Sequence, residues 1–402
     1  VLNHHTEWYN YCADDQNALP ANCIHLADRL DVALRSKHAA DLRAICTALM
    51  AKQRDPVLDS MRGIGIVLMV LGHSGFPGTD FIYLFHMALF FMLSGWLFSL
   101  RGGPLHFIKR KAVTLWLPFV LANTAFTVLN NLFLKLNILT SDERILQVPG
   151  NAVTTPVTVK DVIGRTVHWC VFDGGTQLGG AMWFIQALFQ VSILYALVEF
   201  ILQRLLHGAD TLLPQGLFSG VLLWLGWRCG LAGWNVWGLG IAASCYCLFY
   251  LGTVLRRTTR ESIPAYQRGI FAAAAFAVLL ILGRLGSVGL AGNGYSGPIF
   301  LLLASLAGWV LVREAACLTA PLPCVRAVLA YLGRATMPIV ILHFLSFKLV
   351  TWLGLLATGG EPYLLAAFPI YFTGGAWWLA YTAAGLVLPL AANAVYKKIK
   401  NT

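Results

Sequence analysis

Residues 61–75 read MRGIGIVLMVLGHSG, with ten uncharged residues held between Arg62 and His73. A membrane-spanning helix needs about 20 mostly apolar residues, and the run extended over 60–77 supplies one. An arginine and an imidazole at its two ends are costly beside lipid, so each calls for a reason. Eleven residues at 3.6 per turn make about three turns plus roughly 20°. Arg62 and His73 therefore share a helix face, roughly 16 Å apart.

The rest of the chain follows this pattern. Of 402 residues, 58% are hydrophobic and 12% charged, with a mean hydropathy of +0.68. These values lie outside the range of soluble domains. Further spans are expected near 79–100, 112–135, 181–203, 215–230, 234–255, 268–286, 297–315, 329–351 and 366–396. The expected fold is an all-α polytopic bundle of about ten transmembrane helices (56–402), preceded by a polar N-terminal cytoplasmic segment (1–55). Apolar spacing in IHLADRLDVAL and DLRAICTALM predicts two short amphipathic helices in that segment. It lacks a basic stretch feeding an apolar core, so the first membrane helix is expected to act as its own insertion signal.

The net charge of +11 is explained by membrane topology and does not call for nucleic acid. With the N-terminus inside, Arg101, Lys109, Arg110, Lys111, Arg204, Arg256, Arg257, Arg260, Arg313, Arg326, Lys397, Lys398 and Lys400 all fall on the cytoplasmic side. This predicts cytoplasmic N- and C-termini in a cytoplasmic membrane. The loop over about 136–180, ending in FDGGTQLGG, is then the longest outer connection. It is either a solvated connector or a part that meets an extracellular acceptor. Cys245 and Cys247 lack a second pair or a nearby histidine and read as small buried hydrophobes, with no metal expected.

Ionisable groups inside spans are functional candidates. Of ten histidines, only His73, His86 and His343 qualify. His73 and His86 flank an outer turn centred near Thr79, which puts both roughly 10 Å from the outer surface. His343, roughly 21 Å from the inner start of its span, lies in the same outer half. A neutral imidazole in that layer could take a proton from a hydroxyl as a new bond forms to its oxygen. Asp59, one turn before Arg62, can pair with it. Ser94 and Gly95 fall near the level of Arg62 and Gly65, where small residues admit either a close helix or a slender ligand. The inner stretch RGGPLHFIKRKAVTLWLP sets Arg101, Lys109, Arg110 and Lys111 beside the Arg62 end, where several phosphates would find partners.

Taken together, these residues resemble the acyltransferase-3 family of multi-pass membrane acetyltransferases, and more narrowly its fucose 4-O-acetylase-like branch. The resemblance rests on the Asp-x-x-Arg opening and Arg-x10-His spacing of RDPVLDSMRGIGIVLMVLGHSG, on FHMALFFMLSGWLF, on MWFIQALF with Trp183, and on LAYLGRATMPIVILHFLSFKLV. It covers about residues 54–396. Ala88 replaces a usual Pro, and Val113 stands where many members carry the second of two arginines, which leaves Lys109 or Lys111 for that part. The resemblance implies an O-acyltransferase that takes acetyl-CoA as co-substrate from the cytoplasm and acetylates a hydroxyl of a sugar or polysaccharide acceptor. It implies His73 as base and Arg62 beside it in catalysis. His86, His343, Ser94 and Trp183 would be acceptor-side or supporting, and Arg110, Lys111, Lys109 and Arg101 would lie on the donor. A transporter or flippase of a glycan or lipid-linked sugar would also place His and Arg along a path. Against it, no internal repeat is visible.

Overall fold

The fold is taken from a computed structural model, which describes residues 55–259 and 263–401. The two amphipathic helices expected before residue 55 lie outside the described residues. Helix α1 (Pro56–His73) opens with a proline, whose fixed φ suits a first turn, and carries Asp59 near its positive end. The second span is broken. Helix α2 (Thr79–Tyr83) is followed by Leu84 and Phe85, and Phe85 departs from helical geometry at φ −144°. Helix α3 (His86–Trp96) then begins on the histidine itself.

The basic run expected in an inner loop is instead helical. Helix α4 (Gly103–Lys111) passes through a wider π-helical turn, Ala112–Trp116, into α5 (Leu117–Val128) without a gap. Pro118 has no N–H to donate to the Thr114 carbonyl, which accounts for the local widening. After α6 (Asn130–Lys135), the long connection proves to be folded. It holds a short turn at Glu143–Gln147 and α7 (Val159–Cys170), whose start is closed by a Thr158–Asp161 capping box. Trp116 Nε1 donates to the Cys170 carbonyl at 2.9 Å, tying α7 to the third span.

Helices α8 (Trp183–Leu205), α9 (Leu212–Leu231), α10 (Leu239–Thr258), α11 (Ala265–Leu285) and α12 (Pro298–Thr319) follow. The only strands among the described residues, Val288–Gly289 and Gly294–Tyr295, form a two-stranded turn. The segment expected as one span over 329–351 is two helices, α13 (Pro323–Arg334) and α14 (Thr336–Thr358). Pro338 cannot bond back to the Arg334 carbonyl, which weakens the ladder where the two helices part at Ala335. The final span is shorter than expected, because α15 (Trp377–Asn401) begins only after the irregular stretch that follows a short turn at Pro362–Ala366.

Nine stretches among the described residues are long and apolar enough to cross a membrane. The span expected over 215–230 falls in α9, a twenty-residue helix outside that set. The chain is a multi-pass, all-α membrane protein.

Glycines set how closely the central helices approach. A Cβ at Gly95 would strike the Phe249 carbonyl, and one at Gly252 the Met92 carbonyl, so α3 and α10 meet backbone to backbone. Gly95 is thus a packing position, not an opening for a ligand. In the same way α13 presses on α1, because a Cβ at Gly63 would strike the Leu329 carbonyl and one at Gly333 the Asp59 carbonyl. The buried Glu314 accepts from Arg268 and Arg313, each at 2.7 Å.

Candidate active site

The three membrane histidines arrive from three helices. His73 ends α1, His86 starts α3 and His343 lies two turns into α14. The His73 and His343 rings stand 5.4 Å apart between centroids. Tyr83 bridges His73 and His86, 6.2 Å from the first ring and stacked on the second at 5.2 Å. Its hydroxyl donates to the Gly72 carbonyl at 2.9 Å, fixing it against the last turn of α1. Phe344 completes the group, edge-on to His73 at 5.0 Å and 4.0 Å from His343.

Each imidazole is held in the same way. His73 Nδ1 lies 2.7 Å from the Met69 carbonyl, His86 Nδ1 2.9 Å from that of Ile82, and His343 Nδ1 2.9 Å from that of Ile339. A carbonyl can only accept, so Nδ1 carries the proton in all three, and Nε2 keeps a lone pair as long as the ring is neutral. This tautomer is inferred from the hydrogen-bonding pattern. His343 Nε2 is buried and has no hydrogen-bond partner among the described residues. A buried acceptor left unmade is costly and marks a place where a donor, such as a substrate hydroxyl, would be stabilised.

At the other end of α1, Arg62 stands 3.6 Å from Asp59, as its one-turn spacing allows. Asp59 is buried, at 5% exposure, and its second oxygen lies 3.7 Å from Arg334. One carboxylate therefore gathers two guanidiniums from α1 and α13, both of which remain partly exposed. Lys111 lies within electrostatic reach of Arg110 and Arg62, and both Arg110 and Lys111 sit 5.4 Å from the Phe107 ring. Arg62 and Arg334 thus meet at Asp59, with Lys111 within electrostatic reach of Arg62 and Arg110 next to it in sequence, an arrangement suited to a ligand with several negative charges. Arg101 is exposed in the turn before α4, and Lys109 is exposed on α4.

Ser94 is half-buried on α3. Trp183 opens α8, with its ring edge-on to Phe184 at 6.3 Å. It directly follows the turn Gln177–Met182, whose Gly180 lies against Phe344. Tyr83, Phe344, Arg334 and the buried Lys348 were not singled out in the sequence. Only Tyr83 had a local signal, as an aromatic three residues before His86. Arg334 lies in the late stretch LGRATMP and reaches the cluster only because Gly333 lets α13 touch α1.

Neither the curated proteins nor the solved structures contain a match to the chain. The acyltransferase-3 family model, described as an acyltransferase domain, matches residues 55–394. That stretch includes every helix from α1 to most of α15, with both the histidine group and the cationic end of α1. A multi-pass bundle matched over this length is a membrane acyltransferase, and the chain belongs to the acyltransferase-3 family.

Proposed function

We propose that this membrane acyltransferase transfers an acetyl group from acetyl-CoA to a sugar hydroxyl of a cell-surface glycan or its precursor, with His73 as the base. The observation that carries the proposal is the His73–His343 pair at 5.4 Å, each Nδ1 engaged with a backbone carbonyl and His343 Nε2 buried without a partner among the described residues. The acceptor oxygen attacks the thioester carbonyl while His73 Nε2 takes the hydroxyl proton. The C–S bond then breaks, and the imidazolium returns the proton to the CoA thiolate. General base catalysis of this kind contributes about 10²–10⁴-fold. His343 Nε2 would accept from a second hydroxyl of the acceptor sugar, while His86, Ser94 and Trp183 would support the acceptor side.

The donor's phosphates would rest on Arg62, Arg334, Arg110 and Lys111, with Lys109 and Arg101 on and just before α4, at the end of α1 that lies roughly 16 Å from His73. Phosphates at one end and thioester at the other match the extended form of a CoA ester. The charge bias of the loops supports N-terminus and C-terminus inside a cytoplasmic membrane, so the donor enters from the cytoplasm and the acceptor from outside. Membership of an acyltransferase family supports this over a transporter. The test is purified protein in detergent, given acetyl-labelled CoA and candidate glycans, as wild type and as His73→Ala. Acceptor-dependent release of CoA by wild type and its loss in the variant are expected. No release with any acceptor, or full release by the variant, refutes the mechanism.

A further inference from the structure

The mechanism leaves one buried cation unused. Lys348, on α14 one turn beyond Phe344, is 4% exposed. Its ammonium donates to the carbonyls of Leu365, Ala366 and Ala367 at 3.1, 3.0 and 2.7 Å. All three N–H groups are thereby spent on one strap of backbone at the end of the Pro362–Ala366 turn. A cation suits the negative end of a helical turn, and with no N–H left over, the lysine serves to hold the strap.

The next residue of the strap is Phe368. Its ring packs on Phe344 at 4.5 Å and is close enough to Gly180 that a Cβ there would stand 3.1 Å from it. Its backbone N–H donates to Asn151 Oδ1 at 2.8 Å, so the strap is pinned from a second side. Phe344 in turn lies against both imidazoles, and His343 is 0% exposed. Lys348, Phe368 and Phe344 therefore form a connected series ending on the proposed base.

We propose that the Lys348-clamped strap, through Phe368 backing Phe344, is a water-excluding wall that makes the site select a hydroxyl acceptor over water. This rests on the acetyl-transfer reading above. If water passed this wall to the half-buried His73, its oxygen would attack the thioester carbonyl, the C–S bond would break, and acetate and CoA would leave with no acceptor modified. Excluding water from a site prevents such side reactions. Lys348 and Phe368 are positioning residues in this account, since only Phe344 touches the rings.

Two measurements on Phe368→Ala and Lys348→Met in detergent test it. The first is the rate at which diethyl pyrocarbonate modifies His343, followed by peptide mass spectrometry, with the exposed His106, His168 and His207 as references. A severalfold rise relative to those references is expected in both variants. An unchanged rate in Phe368→Ala overturns the wall, whether or not Lys348→Met folds. The second is the ratio of CoA released without acceptor to acetyl transferred with it, which is expected to rise severalfold. An unchanged ratio alongside faster labelling overturns the selectivity role. Faster labelling in a protein whose wild type never transfers acetyl leaves the wall standing and overturns the acetyl-transfer reading instead.

Discussion

Replacing Gly333 with alanine would test how the cationic end of α1 is assembled. A Cβ there would run into the Asp59 carbonyl, a backbone atom that cannot rotate away. Helix α13 must therefore back off from α1. Overpacking of this kind costs about 1–3 kcal/mol, and the shift also carries Arg334 away from Asp59, from which it now stands 3.7 Å. Arg334 is 46% exposed, so its ion pair with Asp59 contributes only about 0.2–1 kcal/mol. The larger effect is expected on the donor: a guanidinium–phosphate hydrogen bond contributes about 1.5–3 kcal/mol, equivalent to roughly a 10- to 150-fold change in Kd. The assay is CoA binding by calorimetry for wild type, Gly333→Ala, Arg334→Gln and the double variant. If Gly333 acts by delivering Arg334, the double variant binds CoA no more weakly than Arg334→Gln, because the two changes share one path. Additive losses, or wild-type affinity in Arg334→Gln, refute the reasoning.

Three other outcomes follow from the same contacts. CoA affinity should fall as salt is raised from low ionic strength to physiological levels, since the cations of the cluster act partly through screened fields; salt-independent binding would argue against a phosphate site there. Gly95→Ala should lower the thermal unfolding midpoint in detergent by the equivalent of about 1–3 kcal/mol, because the added methyl meets the Phe249 carbonyl. An unchanged midpoint would deny α3 and α10 their close contact. Glu314→Leu should destabilise the protein by about 3–5 kcal/mol, because Arg268 and Arg313 lose the carboxylate they share; unfolding followed by tryptophan fluorescence would show it, and a wild-type midpoint would sink the idea.

The candidate site was legible in part. The shared face of Arg62 and His73 follows from helical periodicity alone, and the buried histidines stand out in any apolar run. Other features depended on local chemistry that hydropathy averages away. The stretch 217–250 divides into α9 and α10 at a turn where Gly233, Trp237 and Gly238 all take positive φ. The basic residues 109–111 sit in a helix, not a loop, because nothing after Gly103 breaks the hydrogen-bond ladder before the π turn.

What the sequence determined by itself is therefore everything that depends on neighbours along the chain: apolar spans long enough for a bilayer, a polar start, and which residues share a helix face. Only tertiary structure decided which faces meet. Asp59 gathers Arg334 across a gap of 275 residues because Gly63 and Gly333 carry no side chain. Lys348 is held by three carbonyls of a strap, two of which, those of Ala366 and Ala367, fall at the start of the span expected over 366–396. Such partners are chosen by shape and by the need to satisfy buried polar groups, and neither is written in local composition.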